Sequence, residues 1–291
     1  MAGTRGRFTR VEIGPIASIL LTSSVLGVVI WRLSSGGSEP TAAFSPQGGF
    51  PLPSRSHRPS PSPFPTPSPA SPGKLPKVTI PAADFKQNTW GYVGCSNTHD
   101  TLAGYQMVSS LKLFWPYAGY RIEGQTVDKW ENLNSPVWGL FAAEKQKYNG
   151  GKDPPVIWIQ ACVDLDPSEG NYHPVTLSDV EQMVRNVRAA APKSILFVSP
   201  LQSYSPPTLC PKMGPGGGEI AQMTAWMHTV VAEGLAYPGP GVDGIPNLGP
   251  LTVTTAFTDG CHPNGGDHGP GPGIDFLGGQ LAAFFDNLPK S

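Results

Sequence analysis

The sequence predicts an α/β domain in which helices cover both faces of a five-stranded parallel sheet, and two observations lead to this fold class. Short apolar runs recur along residues 77–291, and they lack the strict polar alternation of strands that have one solvated face. Helix-like apolar stripes lie between these runs. Strands that alternate with helices along a chain form doubly wound parallel sheets.

Five apolar runs are predicted to be buried strands. In chain order they are Trp90–Gly94, Leu113–Tyr117, Val156–Ala161, Ile195–Ser199 and Leu251–Ala256. The clearest helix is predicted to begin at a capping box from Ser178 to Glu181 and to end before Pro192. Apolar stripes over 220–231 and 277–288 predict two further helices.

The N-terminal segment is predicted to be a membrane anchor. Residues 13–31 carry no charged side chain, and as a helix they would span roughly 28 Å, enough to cross a bilayer core. Three arginines in residues 1–12 precede this run, which favours a cytoplasmic tail and an extracytoplasmic domain on a single-pass protein of the cell membrane. A cleaved signal peptide is the alternative, although no A-x-A site follows the run closely.

The exported part begins with a linker. Residues 32–76 are rich in Pro, Ser, Thr and Gly, so they are predicted to stay disordered and to hold a domain over 77–291 away from the membrane. The four cysteines, Cys95, Cys162, Cys210 and Cys261, all lie in that domain. An even number of exported cysteines favours disulfides, and four cysteines allow three pairings.

The composition also bears on which function classes are excluded. The formal net charge is −1 and no basic stripe is present, which argues against a nucleic-acid partner. Polar residues cluster at 259–268, but no cysteines are paired at zinc-site spacing. The acidic residues at 164–169 lack the spacing of a calcium loop. The sequence therefore predicts no metal site and no cofactor.

One constellation of side chains points to a specific chemistry. Ser96 follows the first predicted strand, and Asp259 and His262 follow the last one. The carboxyl ends of parallel strands share one rim, where ligands bind, so these three residues are expected to meet there. A serine needs a base to take its proton, and a carboxylate orients that base. The expected roles are nucleophile for Ser96, base for His262 and orienting group for Asp259.

These residues resemble motifs of the SGNH (GDSL-type) hydrolases. Gly94–Thr98 resembles that family's Gly-Asp-Ser-x-Thr block, and Asp259–Asn264 is similar to its final block. Residues 121–126 look like its second block, in which Gly124 and the nucleophilic serine supply N–H groups to the oxyanion hole. The resemblance covers about residues 86–288, and it implies a flavodoxin-like fold and hydrolysis of ester bonds without a cofactor.

The sequence departs from the family pattern at two positions. Cys95 stands where the family has an acidic residue, and Val163 stands where its third block has an oxyanion-binding asparagine. Losing one such donor typically lowers the rate by about 10²–10³-fold. Asn97 and Gln125 are possible substitute donors.

The strand order that the resemblance implies also suggests a disulfide pairing. Cys95 follows the first strand and Cys162 ends the third, and these strands are neighbours in a 2-1-3-4-5 sheet. Neighbouring strands bring Cα atoms to about 5 Å, within disulfide range. The expected pairs are Cys95–Cys162 and, by elimination, Cys210–Cys261, with free buried cysteines as the alternative.

The sequence thus predicts a membrane-anchored serine esterase or deacylase. Its expected partners are an ester-bearing small molecule, polysaccharide or lipid, with glycan or lipid esters of the cell envelope as the expected class, and the membrane, bound through the N-terminal helix. Two alternatives stay open. One is a catalytically degraded relative that binds envelope glycans, which the valine at position 163 favours. The other is a structural surface protein.

Overall fold

Six strands and six α-helices lie along residues 78–116, 122, 125–163, 174–213 and 218–291, which are the residues that the computed structural model describes. The strands are β1 (Gly91–Val93), β2 (Val156–Gln160), β3 (Ile195–Ser199), β4 (Tyr204–Ser205), β5 (Tyr237–Pro238) and β6 (Leu251–Thr252). The helices are α1 (Ser96–Val108), α2 (Val127–Trp130), α3 (Val137–Asn149), α4 (Leu177–Ala190), α5 (Gly218–Ala232) and α6 (Gly273–Phe285).

The main sheet contains four parallel strands in the order β1-β2-β3-β5. All five residues of β2 are buried, as expected for a strand covered on both faces. Trp158 in β2 pairs with Phe197 in β3, and both side chains are buried with Trp90 and Phe285 in the same apolar core. The α/β class with a parallel sheet is therefore confirmed.

The prediction of five strands is wrong for the described residues, where the main sheet has four. The second predicted strand is reduced to one parallel bridge between Trp90 and Phe114, and Pro116 ends the run because proline lacks an N–H to pair. Tyr117, at the end of that predicted strand, lies outside the described residues. The fourth strand is instead β5, a two-residue segment that contains a proline.

The predicted last strand, Leu251–Ala256, is also wrong as a member of the main sheet. Only Leu251 and Thr252 are extended, and they pair with β4 in a separate two-stranded sheet. The run turns at once because threonine hydroxyls bond to the nearby backbone: the Thr252 N–H donates to Thr255 Oγ1 at 2.8 Å. The Ala256 N–H donates back to the Thr252 carbonyl at 2.7 Å. Local bonds of this kind compete with pairing in a sheet.

The helix α4 lies close to its predicted range. Its N-cap is Thr176, two residues before the expected Ser178, and Thr176 exchanges hydrogen bonds with Asp179. Ala190 is its last residue, which agrees with the predicted stop before Pro192.

Helix α1 is fixed by an unusually close crossing with α6. A Cβ atom placed on Gly104 would lie 1.8 Å from the Ile274 carbonyl oxygen, and one on Gly278 would lie 2.2 Å from the Gly104 carbonyl carbon. Glycine at both positions lets the two backbones touch. This contact holds α1 against α6.

The cytoplasmic tail, the anchor and the linker predicted for residues 1–76 lie outside the described residues. In the part of the chain that is described, no helix combines the length and apolar character needed to cross a bilayer.

Candidate active site

Ser96 is the first residue of α1, just after the turn that follows β1. The turn is tight, because a Cβ atom on Gly94 would lie 2.0 Å from Thr98 Oγ1. That hydroxyl accepts the Cys95 N–H at 3.0 Å and donates to Gln160 Oε1 at 2.7 Å, which ties the first helical turn to the end of β2. The Ser96 N–H has no acceptor within the helix, since first-turn N–H groups lack one. It therefore lies at the positive end of the helix dipole.

His262 reaches Ser96 from a loop far along the chain. Its Nε2 lies 2.8 Å from Ser96 Oγ, although 166 positions separate the two residues. The loop is held by a hydrogen bond of 2.7 Å from the Phe257 N–H to the His262 carbonyl and by an antiparallel bridge between Ala256 and Pro263. The His262 side chain is 23% exposed, so a ligand in solvent can reach this pair.

Asp259 contacts the other ring nitrogen of His262. Its Oδ2 lies 2.5 Å from Nδ1, and its Oδ1 accepts the backbone N–H groups of Cys261 and His262 at 2.9 and 3.1 Å. Burial raises the pKa of Asp259, but the hydrogen bonds from His262 and Cys261 outweigh burial and hold the pKa below its ordinary value. Because an ionised carboxylate only accepts, Nδ1 carries the hydrogen and Nε2 is left to accept the Ser96 proton.

Two disulfides flank this arrangement. Cys95, the residue before Ser96, is joined to Cys162 with 5.9 Å between the Cα atoms. Cys210 is joined to Cys261, which lies between Asp259 and His262, with 4.5 Å between the Cα atoms. These are the pairs that the sequence analysis expects. Each disulfide ties one half of the Ser96–His262 contact to a distant part of the chain.

The structure describes some of the expected oxyanion donors and not others. Gly124 lies outside the described residues, and Val163 is buried with 5% of its surface exposed. Asn97 is also 5% exposed, and its Oδ1 accepts a hydrogen bond from Gln202 inside the protein. The backbone N–H of Gln125 donates to the Gly94 carbonyl at 2.9 Å, so that group is already used. The Ser96 N–H is the donor with the clearest position.

A buried polar network beneath the site was not predicted from the sequence. The Gln202 Nε2 donates to Asn97 Oδ1 at 2.6 Å and to the Tyr204 hydroxyl at 2.8 Å, and that hydroxyl donates to the Cys261 carbonyl at 2.8 Å. Gln202 comes three residues after Ser199, the last residue of β3. A polar residue just past a buried strand is the one sequence signal that could have indicated it.

A second polar group lies one helical turn from Ser96. Asp100 is 2% exposed, and burial raises its pKa to about 7, with His99 opposing the shift and the carboxylates of Asp267 and Asp259 adding to it. His99 is 1% exposed, and its Nε2 lies 3.7 Å from Asp267 Oδ2. The side chains of His99, Asp267 and Asp259 thus all act electrostatically on the Asp100 carboxyl group.

Comparison with known proteins finds fold neighbours at low identity. No family model matches the chain, and no curated protein matches its sequence. A family 3 carbohydrate esterase of Clostridium thermocellum is 14% identical with a TM-score of 0.42, covering 69% of this chain and 96% of that one. A carbohydrate esterase whose active site is described as having divergent catalytic and non-catalytic binding functions is 13% identical with a TM-score of 0.35, covering 68% of each chain. Neither likeness is close enough to assign an activity, so the proposal below depends on side-chain geometry.

Proposed function

We propose that this protein is a serine esterase or deacylase in which Ser96 is the nucleophile, His262 the base and Asp259 the orienting carboxylate. One observation carries the proposal, namely the continuous chain of hydrogen bonds from Asp259 through His262 to Ser96 Oγ, at 2.5 and 2.8 Å. These distances are within the range over which a proton passes from a nucleophile to its base.

The proposed reaction has two halves. Ser96 Oγ attacks the ester carbonyl while Nε2 of His262 takes the hydroxyl proton, and Asp259 stabilises the imidazolium that forms. The negative oxygen of the tetrahedral intermediate lies near the Ser96 N–H, at the positive end of α1. The imidazolium then gives its proton to the leaving alcohol, which leaves an acyl group on Ser96. A water molecule, deprotonated by His262, attacks that acyl group and releases the acid.

The proposed substrates are esters carried by a polysaccharide or a lipid of the cell envelope. The predicted anchor at 13–31 and spacer at 32–76 favour such a substrate, because they would hold the domain outside the membrane. The partial exposure of His262 also suits an ester group that projects from a larger molecule.

A second candidate function is glycan binding without turnover. Val163 favours it, because valine has no side-chain donor where the resembled family has an asparagine, and this valine is buried. Loss of one oxyanion donor typically lowers turnover by about 10²–10³-fold, which could leave binding as the main activity.

Reaction with a fluorophosphonate probe tests the first proposal against the second. Ser96 Oγ would attack phosphorus, fluoride would leave, and His262 would take the proton. We expect the full-length chain to be labelled and the Ser96→Ala variant to remain unlabelled.

A second histidine provides a matched control. His228 Nδ1 lies 2.6 Å from Asp243 Oδ1, which repeats the histidine–aspartate pair away from Ser96. We expect His262→Ala to abolish labelling and His228→Ala to leave it unchanged. Absence of labelling in a folded wild-type chain that still binds acylated glycan would refute the esterase proposal in favour of the binding function.

A further inference from the structure

Two segments that are distant in sequence meet at the proposed site, and Gln202 touches both. Ser96 belongs to the start of α1, and His262 belongs to the loop after β6. Gln202 has no exposed surface, and its amide lies between Asn97, the residue after Ser96, and Cys261, the residue before His262.

The contacts of Gln202 are strong on both sides. Its Nε2 lies 2.6 Å from Asn97 Oδ1, and it reaches the loop in two ways. The hydrogen that it donates at 2.8 Å to the Tyr204 hydroxyl is shared with the Cys261 carbonyl at 3.4 Å, and that hydroxyl in turn donates to the same carbonyl at 2.8 Å. Burial and the nearby Asp259 carboxylate raise the pKa of Tyr204 above its ordinary value, so the hydroxyl keeps the proton that it donates.

The backbone of Cys261 connects Gln202 to Asp259 and His262, the two residues that would activate Ser96. The Cys261 N–H donates to Asp259 Oδ1 at 2.9 Å, while its carbonyl receives the bonds from Gln202 and Tyr204. The peptide that contains this carbonyl also contains the His262 N–H, which donates to Asp259 Oδ1 at 3.1 Å, so movement of this peptide would shift Asp259 and His262 together. The amide of Gln202 also leaves its own Oε1 buried without a hydrogen-bond partner among the described residues. An unpaired buried acceptor is destabilising. The favourable contribution of the Gln202 side chain therefore comes from the hydrogen bonds that its Nε2 donates.

We propose that Gln202 is a positioning residue that sets the Ser96–His262 distance by linking the first turn of α1 to the Asp259–His262 loop. This inference depends on the proposed function, since the distance matters for turnover only if Ser96 is a nucleophile. Misplacing reacting groups by about 1 Å can lower a rate by about 10²-fold.

Gln202→Met tests the proposal, because methionine has nearly the same length and volume but cannot donate. With a p-nitrophenyl ester and the full-length chain, we expect kcat to fall by about 10–100-fold and KM to stay within about twofold. Asn186→Leu is the matched control for loss of a buried amide: Asn186 is 4% exposed and donates to the Trp130 and Glu131 carbonyls at 3.2 and 2.7 Å. It should lower the melting temperature and leave kcat within about twofold.

A spectroscopic measurement separates this inference from the proposed function. The proton between His262 Nδ1 and Asp259 should give a far-downfield NMR signal that needs no substrate, and Gln202→Met should broaden or shift it. If wild type hydrolyses no ester, the proposed function fails, and the effect of Gln202→Met on this signal still decides the positioning role. An unchanged signal in Gln202→Met, or an unchanged kcat in an active enzyme, would overturn that role.

Tyr204→Phe keeps the test decisive if Gln202→Met does not fold. It removes only the hydroxyl that joins Gln202 to Cys261. We expect a smaller decrease in kcat, about 3–10-fold, with the same change in the NMR signal. A wild-type kcat and an unchanged signal in folded Tyr204→Phe would overturn the proposal.

Discussion

Replacing Asp259 with asparagine should strongly lower the proposed esterase activity while leaving the loop folded. The Asp259 Oδ1 accepts the Cys261 and His262 N–H groups at 2.9 and 3.1 Å, and an asparagine oxygen can accept both bonds. Its amide nitrogen would then face Nδ1 of His262, where Oδ2 lies at 2.5 Å. Two donors would meet there, so the imidazole would move its hydrogen to Nε2 and could no longer accept the Ser96 proton.

The expected size of this effect follows from the tautomer. In a serine protease the same exchange lowers kcat by about 10⁴-fold. The Asp259 side chain is 41% exposed, so water can partly replace it as a partner of Nδ1. We therefore expect a smaller loss here, about 10²–10⁴-fold in kcat, with little change in KM, because Asp259 would act on the base rather than on substrate binding.

The assay is hydrolysis of p-nitrophenyl acetate by wild type, Asp259→Asn and Asp259→Ala, together with the rate of fluorophosphonate labelling. Asp259→Ala also removes the acceptor for the Cys261 and His262 N–H groups, so it should lower the melting temperature more than Asp259→Asn does. The reasoning would be refuted if folded Asp259→Asn kept kcat within about threefold of wild type.

Three further predictions concern stability. Removing the Cys210–Cys261 disulfide with a double alanine variant should lower the free energy of unfolding in urea by roughly 4 kcal/mol for a separation of 51 residues, and a loss under about 1 kcal/mol would contradict this. Burial raises the folded-state pKa of Asp100 to about 7 from its ordinary value of 3.8, so the folded state keeps a proton that the unfolded state loses, and stability falls as pH rises through that window. The melting temperature of Asp100→Asn relative to wild type should accordingly rise from pH 4 to pH 8, and a flat difference would argue against the shift. Gly104→Ala should lower the free energy of unfolding in urea by at least about 1–3 kcal/mol, because its Cβ would lie 1.8 Å from a carbonyl oxygen of α6. In the control variant Gly279→Ala the added Cβ meets nothing within 4 Å, so this change should raise the free energy of unfolding by up to about 1 kcal/mol.

The parts of the fold that could be predicted from the sequence are those with a local signal. The strands β2 and β3 are continuous apolar runs, and α4 has both an apolar stripe and a capping box. The edge of the sheet lacked such a signal. The strand β5 is two residues long, and the threonines after β6 bond to their own backbone instead of extending the strand.

The candidate site could be located in spite of the wrong last strand. From the sequence, Asp259 and His262 are expected at the end of a fifth strand of the main sheet, whereas they follow β6 of the separate sheet. They reach Ser96 because the loop is held by its own turn, by the Cys210–Cys261 disulfide and by Gln202. The disulfide and the Gln202 contact join residues 51 and 59 positions apart and leave no periodic pattern in a sequence.

The geometry favours hydrolysis over binding alone because the side chains are arranged for proton transfer. A glycan-binding surface needs donors and acceptors that face the sugar, and it has no need of a carboxylate on the far side of a histidine. Here the Asp259 carboxylate is directed at Nδ1 and leaves Nε2 2.8 Å from a hydroxyl, which is the arrangement that moves a proton. The buried Val163 concerns a different part of the proposed reaction, the stabilisation of the oxyanion, because the resembled family has a donor at this position, and one donor typically accounts for about 10²–10³-fold. The two features together predict a slow hydrolase, in which His262 can take the proton of Ser96 but the barrier to attack is high because the oxyanion lacks a donor.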